Sequence, residues 1–214
     1  MTGEVRDLDL LIRNGLICTA DFPPTRACIG VRDDLIAVLA AADADFEAAE
    51  VIDARGRLVM PGMIDPHVHI GHGAPHASEF WTEGSSAVVG GVTTLLTFYR
   101  RHPFNYLDLV PALIAEGERH SPIDFGIHLP MFAPQNLEEM TEYHRRLGIV
   151  GFKFFPGIKG NDAAVMTALP HTGPMLPVDD AFVLDGMRRV AALPGAVTLY
   201  HAENAELNAA AAAR

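Results

Sequence analysis

The sequence predicts an α/β fold: a partial (β/α)8 TIM-like barrel, comprising about the first five βα units, preceded by a small N-terminal β-sandwich segment. Residues 5–58 contain short apolar runs separated by turn residues, which is typical of a small all-β unit. From about residue 60, almost continuous apolar strands alternate with amphipathic helical patterns, which indicates parallel strands covered by helices. We therefore expect a β-sandwich segment at 1–58 and a barrel segment at 59–214.

The N-terminal segment is predicted from its turn residues. Three short turn signals separate the apolar runs, at residues 14–15, 22–24 and 33–34. The predicted strands are residues 8–12, 16–19, 27–31, 35–39 and 51–53. A connector rich in alanine and acidic residues, 40–50, precedes the last strand.

The barrel segment is predicted from strands that alternate with helical stripes. The strands are expected at residues 63–69, 92–98, 123–129, 149–155 and 197–201. Apolar residues three and four apart predict helices around 107–114, 137–147 and 183–191. Doubly wound sheets and (β/α)8 barrels both fit this alternation. Two histidines stand at the end of the first strand in place of a glycine-rich phosphate loop, which favours the barrel, whose chemistry lies at the carboxyl ends of its strands.

The number of predicted strands is smaller than a closed barrel requires. Five strands are predicted, whereas a barrel of this type has about eight. The final segment, 202–214, is helix-prone and carries no stop signal. An open half-barrel would expose strand edges and apolar surface. We therefore expect this chain to be the N-terminal part of a longer enzyme.

Composition excludes some partners. The formal net charge of −11 argues against nucleic acid and against an anionic membrane surface, because both select basic proteins. The sequence contains no apolar run long enough to span a bilayer and no secretory signal pattern. Cys18 and Cys28 are expected to be small buried residues rather than a disulfide. Together these features predict a cytoplasmic location.

The first barrel strand ends in a histidine pair. Successive side chains of a strand alternate faces, so His67 and His69 are expected on one face, with Asp65 one step behind them. Two imidazoles in this position can share a metal ion such as zinc, iron, nickel or manganese. Two polar residues on a solvent-facing strand would give the same spacing. The apolar character of the rest of the strand favours the metal site.

Two later strand ends carry further candidate ligands. Lys153 lies within an aromatic strand, and lysine is almost never fully buried without a partner. It could snorkel to solvent, or it could react with CO₂ to form a carbamate whose two oxygens bridge two cations. His201 is the polar tip of the last apolar strand. It is either an ordinary core or loop histidine or a third nitrogen ligand.

With these residues in view, the chain resembles the cyclic amidohydrolases, which include dihydropyrimidinases (hydantoinases), allantoinases and dihydroorotases. The resemblance covers essentially the whole chain and is carried by several motifs together, each of which alone is unspecific. These motifs are LLIRNG at 10–15, VIDARG at 51–56, PGMIDPHVH at 61–69, GGVTT at 90–94, GFK at 151–153 and HAEN at 201–204.

The resemblance implies a binuclear metal centre. It implies that His67 and His69 bind one divalent cation, that His201 binds the other, and that N-carboxylated Lys153 bridges them. The expected metal is Zn²⁺, with Mn²⁺, Fe²⁺ or Ni²⁺ as alternatives, and a hydroxide bridging the metals would attack the amide carbonyl of a cyclic amide or ureide. A further histidine and a catalytic aspartate are expected from later strands, so this chain supplies no catalytic residue beyond the ligands. Asp65 either supports a ligand histidine as a hydrogen-bond acceptor or has a structural role in the turn.

Departures from the family pattern bear on the substrate. Gly71 stands where dihydroorotases carry an arginine, which argues against dihydroorotate. Ile158 stands where dihydropyrimidinases carry a tyrosine, which places hydantoin and dihydropyrimidine in doubt. The loop after the first strand contains residues that either line a pocket or, as we expect, lie on the surface: His72, His76, Glu79, Phe80 and Trp81. We expect three other histidines to be structural or pocket-lining: His102, His128 and His171.

The resemblance leaves two functional hypotheses. The first is a metal-dependent hydrolase of carbon–nitrogen bonds in cyclic amides, which in full length is expected to form a homo-oligomer, possibly a tetramer. The second is a non-catalytic relative or inactive fragment that acts as an assembly scaffold. The presence of all four expected ligand residues favours the enzyme.

Overall fold

The computed structural model describes residues 7–71, 73–99, 105–156 and 178–213. Backbone contacts divide the chain into two compact units, Met1–Gly62 and Met63–Arg214. The domain limits expected from the sequence, 1–58 and 59–214, stay a prediction.

The N-terminal unit contains one mixed sheet. Its strands are β1 (Leu8–Ile17), β2 (Thr25–Arg32), β3 (Leu35–Ala41), β4 (Ala48–Asp53) and β5 (Leu58–Val59). The sheet order is β3-β2-β1-β4, and β5 also pairs with β1. β2 is antiparallel to both β1 and β3, whereas β4 and β5 run parallel to β1. The described residues of this unit form a single sheet, so the β-sandwich stays a prediction.

The expected turn at Asn14-Gly15 is wrong, because β1 continues through it. The pairing of β1 with β2 shifts register between Ile12 and Gly15, which marks a β-bulge. Asn14 has a φ of 58°, and its side-chain amide donates a 2.9 Å hydrogen bond to Asp53. A Cβ atom at Gly15 would lie 2.8 Å from a methyl group of Val59, so the bulge also needs a glycine there. Asn-Gly suits a left-handed backbone in either a turn or a bulge, and the sequence does not distinguish them.

The second unit is built on a five-stranded parallel sheet. Its strands are β6 (Met63–Val68), β7 (Val92–Phe98), β8 (Asp124–Pro130), β9 (Gly151–Phe154) and β10 (Val197–Tyr200). They pair in sequential order, and every neighbouring pair is parallel. A sequentially ordered parallel sheet with helical connections is consistent with a partial TIM-like barrel.

The helices of this unit are α1 (His76–Val89), α2 (Tyr106–His120), α3 (Pro134–Glu138), α4 (Met140–Leu147), α5 (Asp180–Ala191) and α6 (Ala205–Ala212). The single helix expected around 137–147 is two helices, since the first one ends at Glu138 and the second begins at Met140. Asp179 caps α5, because its carboxylate accepts a hydrogen bond from the Phe182 amide. Among the described residues, no helix is both long and apolar enough to cross a bilayer.

The helices cover one continuous core on the parallel sheet. Tyr106 is fully buried, and its hydroxyl donates a 2.6 Å hydrogen bond to the carbonyl of Pro130, which ties α2 to the end of β8. The expectation that Phe80 is a surface loop residue is wrong. Phe80 lies in α1, fully buried, with its ring centre 5.0 Å from that of Phe125, whereas Trp81 is exposed. Cys18 and Cys28 are free cysteines, and Cys28 is buried.

Candidate functional site

The predicted site residues follow the carboxyl ends of three parallel strands. His67 lies near the end of β6 and His69 directly follows that strand. Lys153 lies in β9, where it pairs with Leu199 of β10. His201 directly follows β10, and its amide donates a 2.9 Å hydrogen bond to the carbonyl of Phe154. Parallel strands in register therefore bring these residues to one edge of the sheet.

The imidazoles of His67 and His69 lie side by side. Their ring centres are 5.2 Å apart, with an interplanar angle of 87°. This separation lets one nitrogen of each ring approach a single cation, since a zinc–nitrogen distance is about 2.0–2.1 Å. Both residues are exposed, so a cation could reach them from solvent.

Asp65 fixes the backbone of the histidine pair. Its carboxylate accepts a 3.0 Å hydrogen bond from the amide of His67, two residues later. This local bond between an aspartate side chain and the backbone is typical of a turn. Asp65 itself lies within β6, and the two roles that the sequence left open, acceptor for a ligand histidine and structural residue of the turn, both stay predictions.

Lys153 is directed into the protein. Its residue is 4% exposed, so the side chain does not snorkel to solvent. Its Nζ lies 5.6 Å from the centre of the Phe98 ring and 5.1 Å from the centre of the Phe155 ring. Both distances are within the range of a cation–π interaction. Two aromatic faces thus surround the amine that the sequence predicts as a bridging ligand.

His201 lies next to one of these rings, that of Phe155. Its ring centre is 5.5 Å from that of Phe155, and its Nε2 is 3.0 Å from a carboxylate oxygen of Glu203. Phe155 is therefore next to both Lys153 and His201, and Glu203 is a direct polar partner of His201.

The ring of Phe98 lies close to three histidine rings of the candidate site. Its centre lies 4.5 Å from the ring of His67, 5.4 Å from His69 and 5.0 Å from His128. Sequence reasoning treated Phe98 and Phe155 only as strand residues. Their positions at or next to the carboxyl ends of β7 and β9 were the available signal.

His128 is a buried histidine at this site. It is 4% exposed, and within the described part of the chain neither of its ring nitrogens has a hydrogen-bond partner. Burial lowers the pKa of His128, the Pro66 backbone opposes this effect, and the nearby His67 and Lys153 lower the pKa further. From the sequence we expect His128 to be a structural or a pocket-lining residue. Its burial beside two candidate ligands is compatible with both roles.

Glu79 orders the loop that follows the histidine pair. Its carboxylate accepts hydrogen bonds from the backbone amides of Gly71, Gly73 (2.8 Å) and Ala74 (2.6 Å). Glu79 lies in the first turn of α1, where a negative charge is favourable. Sequence reasoning missed this role, although an acidic residue just inside a helix start was the signal.

Known proteins resemble this chain over most of its length. The sequence model of the amidohydrolase family matches residues 50–104. A D-hydantoinase of Ralstonia pickettii is 31% identical over 204 residues, which are 93% of this chain and 41% of the relative. Over these residues the chain is similar to the cyclic amidohydrolases. An allantoinase of Desulfitobacterium hafniense is 33% identical over 207 residues, 93% of this chain and 41% of that relative. Thus the chain spans about two fifths of the length of these curated relatives.

A solved structure shares the fold. The L-hydantoinase (dihydropyrimidinase) from Arthrobacter aurescens superposes with a TM-score of 0.78 at 29% identity, covering 95% of this chain and 42% of that chain. The chain therefore shares its α/β architecture with part of a solved hydantoinase.

The structure places the predicted ligands at one edge of the parallel sheet. His67 and His69 are adjacent, and Lys153 is connected to them through Phe98 and to His201 through Phe155. Over residues 7–71, 73–99, 105–156 and 178–213, no group of three or more His, Cys, Asp or Glu side chains is arranged to hold a metal ion. The four-residue ligand set therefore stays a prediction. Several residues named from the sequence lie outside the described residues: His72, His102, Ile158 and His171.

Proposed function

We propose that this chain forms part of a metal-dependent hydrolase that opens a carbon–nitrogen bond of a cyclic amide, as in hydantoinases, dihydropyrimidinases and allantoinases. One observation carries the proposal. Lys153 is buried near the carboxyl end of β9, in the sheet whose first strand ends in the paired imidazoles of His67 and His69. The relatives named hydantoinase and allantoinase support the same activity.

The chemistry of the donor groups fits divalent cations. Imidazole nitrogens bind zinc, iron, nickel and manganese, and a lysine carbamate presents carboxylate-like oxygens. Lys153 is 4% exposed, so a carbamate formed on its amine would also be largely buried. We propose His67, His69, Lys153 and His201 as ligands, with zinc as the expected metal. When bound, two such cations would lower the pKa of a water molecule and polarise the amide carbonyl.

The chain's own residues give the site its other properties. Asp65 fixes the backbone of His67, which limits the directions that this imidazole can take. The rings of Phe98 and Phe155 exclude water from the Lys153 side chain, which strengthens electrostatic interactions there. Glu79 holds the loop after His69, where a bound ring would approach.

The substrate proposed is a small cyclic amide or ureide. We also propose that the full-length enzyme is a homo-oligomer, as the resemblance implies, and that it is cytoplasmic, as the composition predicts. The scaffold hypothesis expects ligand residues to be lost, whereas the four proposed ligands are all present in the sequence.

Ring opening of hydantoin, dihydrouracil and allantoin tests the proposal, with the protein translated from the complete reading frame. We expect metal-dependent hydrolysis of at least one ring, lost by at least about tenfold in His67→Ala and His69→Ala. His120→Ala is the matched control, because His120 is a surface histidine at the end of α2. Hydrolysis that is unaffected by both site variants would exclude the proposed ligands.

A further inference from the structure

His128 combines burial with unsatisfied polar atoms. The residue is 4% exposed, and among the described residues neither Nδ1 nor Nε2 makes a hydrogen bond of acceptable geometry, although the Pro66 backbone is close enough to influence the ring. A buried polar group without a partner is costly to a folded protein and calls for an explanation. An imidazole that lacks a partner here is explained most simply by a polar group that joins the site.

Gly151 makes room for this imidazole. His128 pairs with Gly151 across β8 and β9, and a Cβ atom at Gly151 would lie 1.7 Å from Nδ1 of His128. The imidazole therefore occupies the space that a side chain at position 151 would fill. Because side chains alternate along a strand, positions 151 and 153 share a face of β9, about 6.6 Å apart. His128 thus lies one layer before Lys153 on the same face of the sheet.

The ring of Phe98 lies next to the side chains of both His128 and Lys153. The centre of the Phe98 ring is 5.0 Å from the His128 ring and 5.6 Å from Nζ of Lys153. An imidazole carries at least one N–H donor in both its neutral and its protonated form.

We propose that His128 is a positioning residue for Lys153, whose carboxylated side chain accepts a hydrogen bond from the His128 imidazole. This inference rests on the proposed function, because it requires the carbamate. The hydrogen bond satisfies the buried ring and fixes the direction in which Lys153 presents its oxygens. Gly151 is part of the arrangement, because any larger residue would displace the ring.

The carbamate forms from the neutral amine of Lys153 and CO₂. The nitrogen lone pair makes one N–C bond, one C–O π bond becomes a lone pair on oxygen, and one proton leaves the nitrogen for solvent. The product carries one negative charge. His128 enters as a hydrogen-bond donor to this anion and gains no atom.

The test compares His128→Leu, His128→Asn and the surface control His120→Asn in the protein translated from the complete reading frame. Three quantities are measured after incubation with zinc and ¹³C-bicarbonate: bound zinc, the carbamate ¹³C signal, and urea unfolding of the metal-free protein. We expect His128→Leu to lower zinc affinity and carbamate signal by about tenfold or more. Its metal-free fold should be at least as stable as the wild type, because the substitution removes unsatisfied buried nitrogens. His128→Asn, which keeps a donor, should recover part of the loss.

The outcomes separate the two proposals. Wild-type zinc and carbamate retained in a folded His128→Leu variant would overturn the inference and leave the proposed function standing. A wild type with neither zinc nor carbamate would overturn both. If His128→Leu does not fold, the ¹⁵N resonances of the His128 ring in the wild type decide: they should shift when bicarbonate and zinc are added, and unchanged resonances would refute the hydrogen bond.

Discussion

Nζ of Lys153 lies 5.6 Å from the centre of the Phe98 ring, although the two residues belong to strands separated by β8. The same ring lies 4.5 Å from the ring of His67. Phe98 therefore connects the lysine of the fourth strand of this sheet with the histidine of the first.

Replacement of Lys153 by alanine should abolish binding of the second cation while the fold is kept. The reason is that the carbamate is the proposed group that contacts both metals. We expect zinc per chain, measured by elemental analysis, to fall at least by about half. Short carboxylic acids such as acetate should restore part of the zinc, and Arg119→Ala, an exposed change on α2, is the control. Full zinc content in Lys153→Ala would refute the bridging role.

Replacement of Glu79 by glutamine should destabilise the protein. The carboxylate accepts three backbone amide hydrogen bonds in the loop at 71–74, and bonds to a charged group contribute about 1.5–3 kcal/mol. We expect the free energy of unfolding to fall by about 1–3 kcal/mol in urea titrations. Glu83→Gln in the same helix is the matched control, because Glu83 is exposed. Equal losses in both variants would show that the loop bonds contribute nothing specific.

An alanine at Gly186 should disturb the strand that carries Lys153. A Cβ atom there would lie 2.3 Å from the ring of Phe154, which is fully buried in β9. Overpacking of this kind costs about 1–3 kcal/mol. Thermal unfolding should therefore show a lower melting temperature for Gly186→Ala. Gly90→Ala, whose added Cβ meets only a backbone oxygen 3.3 Å away, should change stability by about 0.5 kcal/mol or less; the reverse ranking would contradict this packing.

The N-terminal unit should lose stability in acid because of Asp53. The pKa of Asp53 lies below the ordinary aspartate value of 3.8. The largest cause is the hydrogen bond that the Asn14 amide donates to the carboxylate, and the second is the hydrogen bond from the backbone amide of Arg55. A lowered folded-state pKa means that the stabilisation is fully present above pH 3.8 and is lost as the pH falls through the folded value. Urea unfolding from pH 6 down to about pH 2 should show a steeper loss in wild type than in Asp53→Asn. Parallel pH profiles would show that Asp53 does not contribute.

The sequence predicted those elements whose pattern is set locally. The strand expected at 92–98 is β7, Val92–Phe98, because buried strands give continuous apolar runs. The helix α1 was missed because its first residues include histidine, serine and glutamate, which are equally common in loops. The turn predicted at Asn14 was wrong, because a residue with a left-handed backbone fits a β-bulge as well as a turn.

The sequence predicted which strand ends carry the candidate site residues, but it did not predict the contacts between their side chains. Alternation along β6 indicated that His67 and His69 are neighbours, and their ring centres are 5.2 Å apart. The contacts of Lys153 with Phe98 and Phe155 depend on register between strands and on side-chain packing. The burial of His128 against Gly151 depends on the same register, which a single sequence does not encode locally.

Zinc content measured in wild type and in the His67→Ala/His69→Ala double variant tests the central claim most directly. Both proteins are grown with zinc, purified and analysed for metal per chain, with circular dichroism to establish that each is folded. If the proposed metal site is correct, we expect about two zinc ions per wild-type chain and the loss of at least one of them in the double variant. Equal zinc in the two folded proteins, or none in either, would contradict it.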